Sequence, residues 1–507
     1  MYTTLDHYID GKWVKPSGKT LEVYNPANSK VIGELGSVSK GDLDMAIAAA
    51  EKGFKQWRKV SAFERGKMLR KIGDLVRARA DEIAKVLTME QGKVLAEAKI
   101  EVLMGADIFD WFAAEGQRAY GRIIPARADG VRNMVIMEPI GPVAGFSPWN
   151  FPITQAVRKI AAALAAGCSI IVKCPEETPG SPIGLLKCIH DAGVPAGVVN
   201  LIYGVPAEIS EYLIPHPSIR KISFTGSVPV GKHLAALAAT HMKRATMELG
   251  GHAPVLVFDD ADVESATKIM LGSKFRNAGQ VCISPTRFFV HEKVYDKFVG
   301  DFISGAKALK LGDGLDASST MGPLANPRRV NAMESIIADA QEKGAKVQTG
   351  GKRLGNQGRH ALRESRRILF VRQHPPGYRH QSREECEDAQ EGEPDLQIES
   401  RHGSAVSVER YHFGSVAGRR IPGQDRSRCA DPAAVGSGRW QGRNQRRHGS
   451  PVRTTGTSGR TVSRITARVS VRAPRTSWTD RPDPGSRPIG AGSGTMAKRT
   501  RVSPASA

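Results

Sequence analysis

The chain has 507 residues, 40% of them hydrophobic, with a formal net charge of +22 and a pI of about 9.8. That length allows two or three domains around a large core. Six cysteines without CxxC spacing argue against a metal clip or a disulfide-stapled scaffold. With no run of 18 apolar residues and no basic-then-apolar start, the chain reads as a reduced, soluble, cytoplasmic protein without a membrane partner.

The charge is unevenly placed. Residues 359–507 hold 28 Lys and Arg against 14 Asp and Glu, a net +14, which leaves +8 for everything upstream. A charge of +22 spread over one fold would point to nucleic acid or an anionic membrane. Residues 1–358 are only mildly basic, so a nucleic-acid partner is not expected there.

In chain order, residues 42–59 and 61–87 have apolar positions at three- and four-residue spacing, predicting two amphipathic helices. The second opens on Ser61-Ala-Phe-Glu64, a capping box in sequence. From about residue 133 the pattern changes to short apolar runs between Gly/Pro turns. Strands are predicted at 134–137, 169–173, 198–202, 221–224 and 254–258, with helices at 154–166 and 228–240 between them. Alternation of strand and helix predicts an α/β fold with a parallel sheet covered on both faces.

Near residue 358 the character changes abruptly. Upstream there are 28 Lys and 17 Arg; downstream there is one Lys (Lys498) and 27 Arg. The downstream segment is rich in Arg, Ser, Gly and Pro and has no sustained periodicity. It is expected to be mostly disordered, because it lacks the apolar surface to offset its ordering entropy.

Four segments carry chemistry. In Gly141-Pro-Val-Ala-Gly-Phe-Ser-Pro-Trp-Asn-Phe-Pro152, the Asn150 amide is a neutral donor suited to an oxyanion, though a Pro-rich turn suits any such sequence. In Phe224-Thr-Gly-Ser-Val-Pro-Val-Gly231, glycines bracket a strand-to-helix turn that can accept a pyrophosphate, without matching GxGxxG. Thr246-Met-Glu-Leu-Gly-Gly-His-Ala-Pro254 places Glu248 between a strand and a Gly-Gly turn, as a general base or as a solvated strand-end carboxylate. His252 beside it suits a structural turn. In Phe275-Arg-Asn-Ala-Gly-Gln-Val-Cys-Ile-Ser284, Cys282 follows a Gly-Gln turn, as a thiol nucleophile or as a small buried hydrophobe.

Together, and in this order, Pro-Trp-Asn-Phe-Pro, Phe-Thr-Gly-Ser, Glu-Leu-Gly-Gly and Gly-Gln-x-Cys resemble the aldehyde dehydrogenase superfamily. The resemblance runs from about residue 5 to 355. Residues 90–99, 111–116 and 273–277 are most similar to its succinate-semialdehyde branch. It implies NAD-dependent oxidation of an aldehyde to an acid through a thioester on Cys282. Glu248 is then the general base, Asn150 the oxyanion donor and Lys159 a proton-relay residue. The implied cofactor contacts are Ser147, Pro148, Trp149, Lys173, Glu176, Gly226, Ser227, Gly231 and the Leu249 carbonyl. NAD is expected over NADP, because Glu176 would accept from a ribose 2′-OH and repel a 2′-phosphate. Arg158 and Arg276 match arginines directed at a substrate carboxylate, which a planar guanidinium binds in bidentate fashion.

The implied organisation is a Rossmann-type cofactor domain over residues 1–250, with arm strands about 128–142. A truncated α/β catalytic domain would occupy 251–357 and a non-homologous tail 358–507. Two departures stand out. The family's Glu-x-Pro-Phe-Gly-Pro stretch, whose Glu holds the nicotinamide ribose, is absent after Gly358, and with it the C-terminal arm strand that supports a homo-oligomer. The position two residues after Cys282 is Ser284, which excludes a disulfide switch there. The inverted Lys:Arg ratio fits out-of-frame translation of a GC-rich gene beyond codon 358, which would leave this chain with little activity. A basic nucleic-acid-binding protein and a catalytically dead cofactor-binding module are the alternative readings.

Overall fold

The computed structural model describes residues 2–352 and, beyond them, two strands at 369–372 and 406–411. The N-terminal segment forms two antiparallel pairs, β1 (His7–Ile9) with β2 (Lys12–Val14) and β3 (Thr20–Tyr24) with β4 (Val31–Gly36). Four helices follow: α1 (Lys40–Trp57), α2 (Ala62–Ala78), α3 (Ala80–Gln91) and α4 (Leu95–Glu115). Ser39 starts α1 with a full capping box, its hydroxyl accepting from the Asp42 N–H while the Asp42 carboxylate accepts from the Ser39 N–H. At α2 only half of the predicted box forms. Ser61 accepts from the Glu64 N–H at 3.2 Å, but the Glu64 carboxylate pairs with Lys67 at 2.8 Å.

The single helix predicted over 61–87 is two helices. The chain leaves helical geometry at Arg79 (φ −105°, ψ 14°), yet the apolar stripe continues in phase across that one residue, so periodicity could not show the break. The strand predicted at 134–137 also shifts. A hairpin of β5 (Arg122–Pro125) and β6 (Arg132–Val135) stands in its place, joined to neither large sheet, with Met134 71% and Ile136 70% exposed.

The first large sheet takes its core from β7 (Val143–Phe146), β8 (Ile170–Lys173), β9 (Val199–Ile202), β10 (Lys221–Gly226) and β11 (Arg244–Leu249). Its order is β11-β10-β7-β8-β9-β1-β2; β7 to β11 are parallel, and β1 and β2 extend the sheet antiparallel. The crossovers carry α5 (Pro152–Ala165), α6 (Gly180–Ala192), α7 (Pro206–Leu213) and α8 (Val228–Thr240). Alternation along the strands sorts the core onto two faces. Val143, Ile170 and Val172 pack with α2 to α6, while Phe146, Ile171 and Ile222 pack with α1, α7 and α8. The chain runs from β7 outward to β9 and then returns to the other side of β7 as β10. That reversal opens a crevice beyond the carboxyl ends of β7 and β10, the place where doubly wound sheets bind ligands.

The second large sheet has the order β12-β13-β16-β15-β14, from β12 (Val255–Val257), β13 (Arg287–His291), β14 (Lys346–Val347), β15 (Leu369–Arg372) and β16 (Val406–Tyr411). With it go α9 (Val263–Phe275), α10 (Glu292–Ala308) and α11 (Pro327–Glu342). An apolar cluster of Phe275, Phe288, Phe298 and Phe302 fills the space between α9, α10 and β13. Strands β15 and β16 belong to the Arg-rich tail, β16 pairing parallel to β13 and β15 antiparallel to β14. The predicted disorder of the tail otherwise lies outside the described residues, as do the missing Glu-x-Pro-Phe-Gly-Pro stretch and the C-terminal arm strand. Among the described residues no helix is long and apolar enough to cross a membrane.

Candidate active site

The crevice at the reversal is lined by two of the four segments. Residues 147–150 follow β7, and Gly226-Ser227 lead from β10 into α8. Ser147 is buried, its N–H donates to the Lys173 carbonyl at 3.0 Å, and its hydroxyl has no hydrogen-bond partner among the described residues. Two glycines hold the wall close: a Cβ on Gly226 would come within 2.4 Å of the Phe224 ring, and one on Gly231 within 2.5 Å of the Leu249 side chain. Ser227 is the N-cap of α8 but makes no side-chain cap, so the first N–H groups of that helix remain available to an anion. On the neighbouring strand, the Lys173 ammonium pairs with Glu176 at 2.5 Å. An unpartnered hydroxyl, a glycine-lined wall and a carboxylate beyond β8 fit a dinucleotide. Pro148 and Trp149 sit half-buried beside them.

Lys159 reaches this crevice from α5. Gly145 makes room for it, since a Cβ there would meet Ile170 at 3.2 Å and the Lys159 stem at 3.4 Å. The Lys159 Nζ donates to Thr225 Oγ1 at 2.6 Å. In the parallel register of β10 and β11, Thr225 is the partner of Glu248, which is exposed. Lys159, Thr225 and Glu248 therefore form a row across two strands. Burial lowers the Lys159 pKa to about 8, against attraction from Cys174 and Glu248 and with help from Arg158.

That shift links to stability. The unfolded amine keeps its proton to a pKa of about 10.5. Native stability therefore rises as pH climbs from about 8 to about 10.5 and is lost as pH falls through 8. Relative to the parent, Lys159→Met is expected to be most stable below pH 8, its advantage shrinking by about 3 kcal/mol by about pH 10.5. Urea unfolding across that range measures the difference, and a pH-independent difference would contradict the shift.

Cys282 is a half-buried free thiol. It lies on a turn that ends α9 through Asn277 (φ 46°), Ala278 (φ 59°) and Gly279 (φ 73°). Asn277 and Ala278 are strained in this left-handed geometry, which Gly279 adopts freely, and side chains hold the turn in place. The Gln280 side chain accepts from the Ala325 N–H at 3.0 Å and donates to the Asn277 carbonyl at 3.1 Å. The Asn150 Nδ2 donates to the Gln280 carbonyl at 2.9 Å, which brings the predicted oxyanion donor to the turn of the predicted nucleophile. On the other side, Thr286 Oγ1 donates to the His252 carbonyl at 2.6 Å, tying the segment after Glu248 to the segment after Cys282. His252 serves there as a turn residue. Ser284 is buried.

Arg276 is exposed, its guanidinium 5.4 Å from the centre of the Phe151 ring and so beside the Asn150 segment. Arg158 lies on the exposed side of α5, and the only link described between it and the site is its charge acting on Lys159. Sequence reasoning missed Lys93, Glu97, Glu101, Thr225, Asn277 and Gln280. Asn277 and Gln280 lie inside a motif with a chemical reading, but the backbone groups that Lys93 and Glu101 hold in the 150–154 segment are 52 to 57 residues away.

The profile of the Aldehyde dehydrogenase family matches residues 13–362. The 4-(hydroxymethyl)benzenesulfonate dehydrogenase TsaD1 of Comamonas testosteroni is 47% identical over 348 residues, 68% of this chain and 72% of that protein. The NADP-dependent succinate-semialdehyde dehydrogenase GabD of Escherichia coli K12 is 42% identical over 345 residues, 68% and 72% of the two chains. The crystal structure of a succinate-semialdehyde dehydrogenase from Burkholderia pseudomallei superposes with a TM-score of 0.73 at 38% identity, covering 81% of each chain.

Proposed function

The chain belongs to the aldehyde dehydrogenase family, whose members use NAD(P), and on that premise we propose that its site oxidises a carboxylated aldehyde such as succinate semialdehyde with NAD. The observation that carries this reading is the bond from Asn150 Nδ2 to the Gln280 carbonyl, two residues before Cys282. The Cys282 thiolate attacks the aldehyde carbon, a C–S bond forms, and the carbonyl π pair moves to oxygen. The second N–H of the Asn150 amide and the Cys282 backbone N–H donate to that oxyanion. As the oxyanion collapses, the aldehyde C–H bond breaks and its electron pair leaves as hydride; NAD, when bound, would be the acceptor, and Ser147, Pro148, Trp149, Lys173, Glu176, Gly226, Ser227, Gly231 and the Leu249 carbonyl would hold it. Cys282 then carries a thioester. Glu248 takes a proton from water, the hydroxide adds to the thioester carbon, and collapse expels the Cys282 thiolate and releases the acid. Lys159, through Thr225, steadies the charge on Glu248.

Arg276 at the Phe151 ring supports the choice of an anionic substrate, while Arg158, on the exposed side of α5, adds only positive charge felt by Lys159. TsaD1 and GabD take their names from compounds bearing a sulfonate or a carboxylate. NADH formation with succinate semialdehyde and with an uncharged aldehyde of equal length tests the reading, and equal kcat/KM for both would sink it. Arg276→Leu is expected to cost the carboxylated substrate about 10-fold to 100-fold, the worth of a charge-assisted hydrogen bond, while leaving the uncharged one nearly unchanged.

The E. coli relative is named for NADP, so cofactor choice has to come from local chemistry. Here Glu176 Oε1 is paired with Lys173, which leaves the other oxygen to accept from a 2′-OH and to repel a 2′-phosphate. Glu176→Ser is expected to narrow the NAD:NADP ratio of Kd by about 10-fold or more, measured by equilibrium binding. Tighter binding of NADP than of NAD by the parent chain would refute the assignment.

A further inference from the structure

Helix α4 and the loop before it hold three charged side chains that this chemistry does not use. The Lys93 side chain is fully buried; its Nζ donates to Glu101 Oε2 at 2.5 Å and to the Asn150 carbonyl at 2.9 Å, and lies 4.0 Å from the centre of the Phe151 ring. Glu101 uses its other oxygen to accept from the N–H groups of Ile153 at 2.9 Å and Thr154 at 3.3 Å. These lie in the first turn of α5, where Phe151 makes no side-chain cap. One turn earlier on α4, Glu97 Oε2 accepts from the Asn277 N–H at 3.0 Å, and the Asn277 side chain donates to the same Asn150 carbonyl at 2.8 Å.

A buried ion pair is a poor source of stability, because removing both charges from water offsets most of their attraction. Burial lowers the Lys93 ammonium pKa even with Glu101 beside it. What the arrangement supplies is location. Two donors converge on one carbonyl, that of Asn150, and each is anchored to a carboxylate or a strained turn. We propose that Lys93 and Glu101 are positioning residues that fix the Asn150 segment against the Cys282 turn, with Glu97 holding that turn from the same helix. The inference rests on the roles of Cys282 and Asn150 given above.

The test separates reactions that need an oxyanion donor from those that do not. In acylation by p-nitrophenyl acetate, the Cys282 sulfur forms a bond to the carbonyl carbon, the tetrahedral oxyanion collapses, and p-nitrophenolate leaves with the electron pair. Alkylation by iodoacetamide displaces iodide at a saturated carbon and develops no oxyanion. Both are measured on the full chain as parent, Lys93→Met, and Lys93→Met with Glu101→Gln. The double variant leaves no lone buried charge and keeps an acceptor for the Ile153 and Thr154 amides, so it keeps the test open where the unpaired Glu101 of the single variant costs stability. Acylation of the variants is expected to fall by about 100-fold, the cost of a lost oxyanion donor, while alkylation changes by less than about threefold. Equal losses in both reactions would mark general damage to the site and overturn the proposal, as would unchanged acylation. A crystal structure of the double variant gives a readout independent of Cys282 chemistry. Asn150 is expected to leave the Gln280 carbonyl; Asn150 still in place overturns the proposal. If the parent is acylated no faster than Cys282→Ser, the functional reading fails and the crystal structure alone decides the positioning role.

Discussion

Asn150→Ala should slow the acylation of Cys282 by about 10²-fold to 10³-fold, and Cys282→Ser should abolish the stable acyl adduct altogether. The first effect follows from geometry. The Asn150 Nδ2 donates to the Gln280 carbonyl at 2.9 Å, and its second N–H is left for an oxyanion. Alanine removes both N–H groups, while the Gln280 carbonyl keeps the Asn277 side chain at 3.3 Å, so the turn retains a partner. The second effect follows from the thiol, which is a better nucleophile than a hydroxyl at neutral pH and leaves more readily. Serine is smaller and polar, and the half-exposed position tolerates it without a cavity. Rapid-mixing release of p-nitrophenolate and the mass of the intact adduct measure both. An Asn150→Ala chain acylated at the parent rate would remove Asn150 from the chemistry.

A chimera that replaces residues 358–507 with the matching third of an active family member should form NADH at least about 100-fold faster than this chain. The reasoning is one of placement: the family's ribose-holding Glu is missing after Gly358, and a misplacement of about 1 Å at the reacting centre costs about 10²-fold. Acylation by p-nitrophenyl acetate should differ little between the two proteins, because Cys282, Asn150 and Gln280 lie within the shared part. Slow NADH formation by both proteins would show that the deficit lies upstream of residue 358. The nucleotide sequence gives a separate check. Another frame beyond codon 358 should encode a Glu-x-Pro-Phe-Gly-Pro-like stretch, and closed or unrelated frames would leave the tail to be explained as coding sequence.

Strands β8, β9 and β10 were legible as short apolar runs, whereas the central β7 was not, because Val143–Phe146 sits in a segment that reads as a Gly/Pro turn; helix 228–240 matches α8, whose start Ser227 and Pro229 mark. The Arg79 break was not, since one non-helical residue leaves the apolar stripe in phase. At the site, motif and chemistry supplied Cys282, Asn150 and Glu248 as candidates, and the fold brings Asn150 to the turn before Cys282. The residues that set these positions were not legible, because Lys93 to Asn150 and Glu97 to Asn277 are contacts made only by the fold. Strands β15 and β16 lie in a segment whose composition gives no periodic signal, and their pairing depends on the edge that β13 offers.

The hairpin of β5 and β6 has a practical consequence for anyone handling the protein. A two-stranded ribbon is marginally stable by itself, and this one bares Ile123, Met134, Ile136 and Met137 to water. Attraction between such ribbons weakens on cooling, so cold, dilute storage favours clear solutions and warming a concentrated stock favours turbidity. Arg127 and Arg132 flank its tip and offer trypsin an early cut. A cut there unties β5 from β6 while leaving each strand attached to its own half of the chain, so a briefly digested sample would show two fragments split at Arg127 or Arg132.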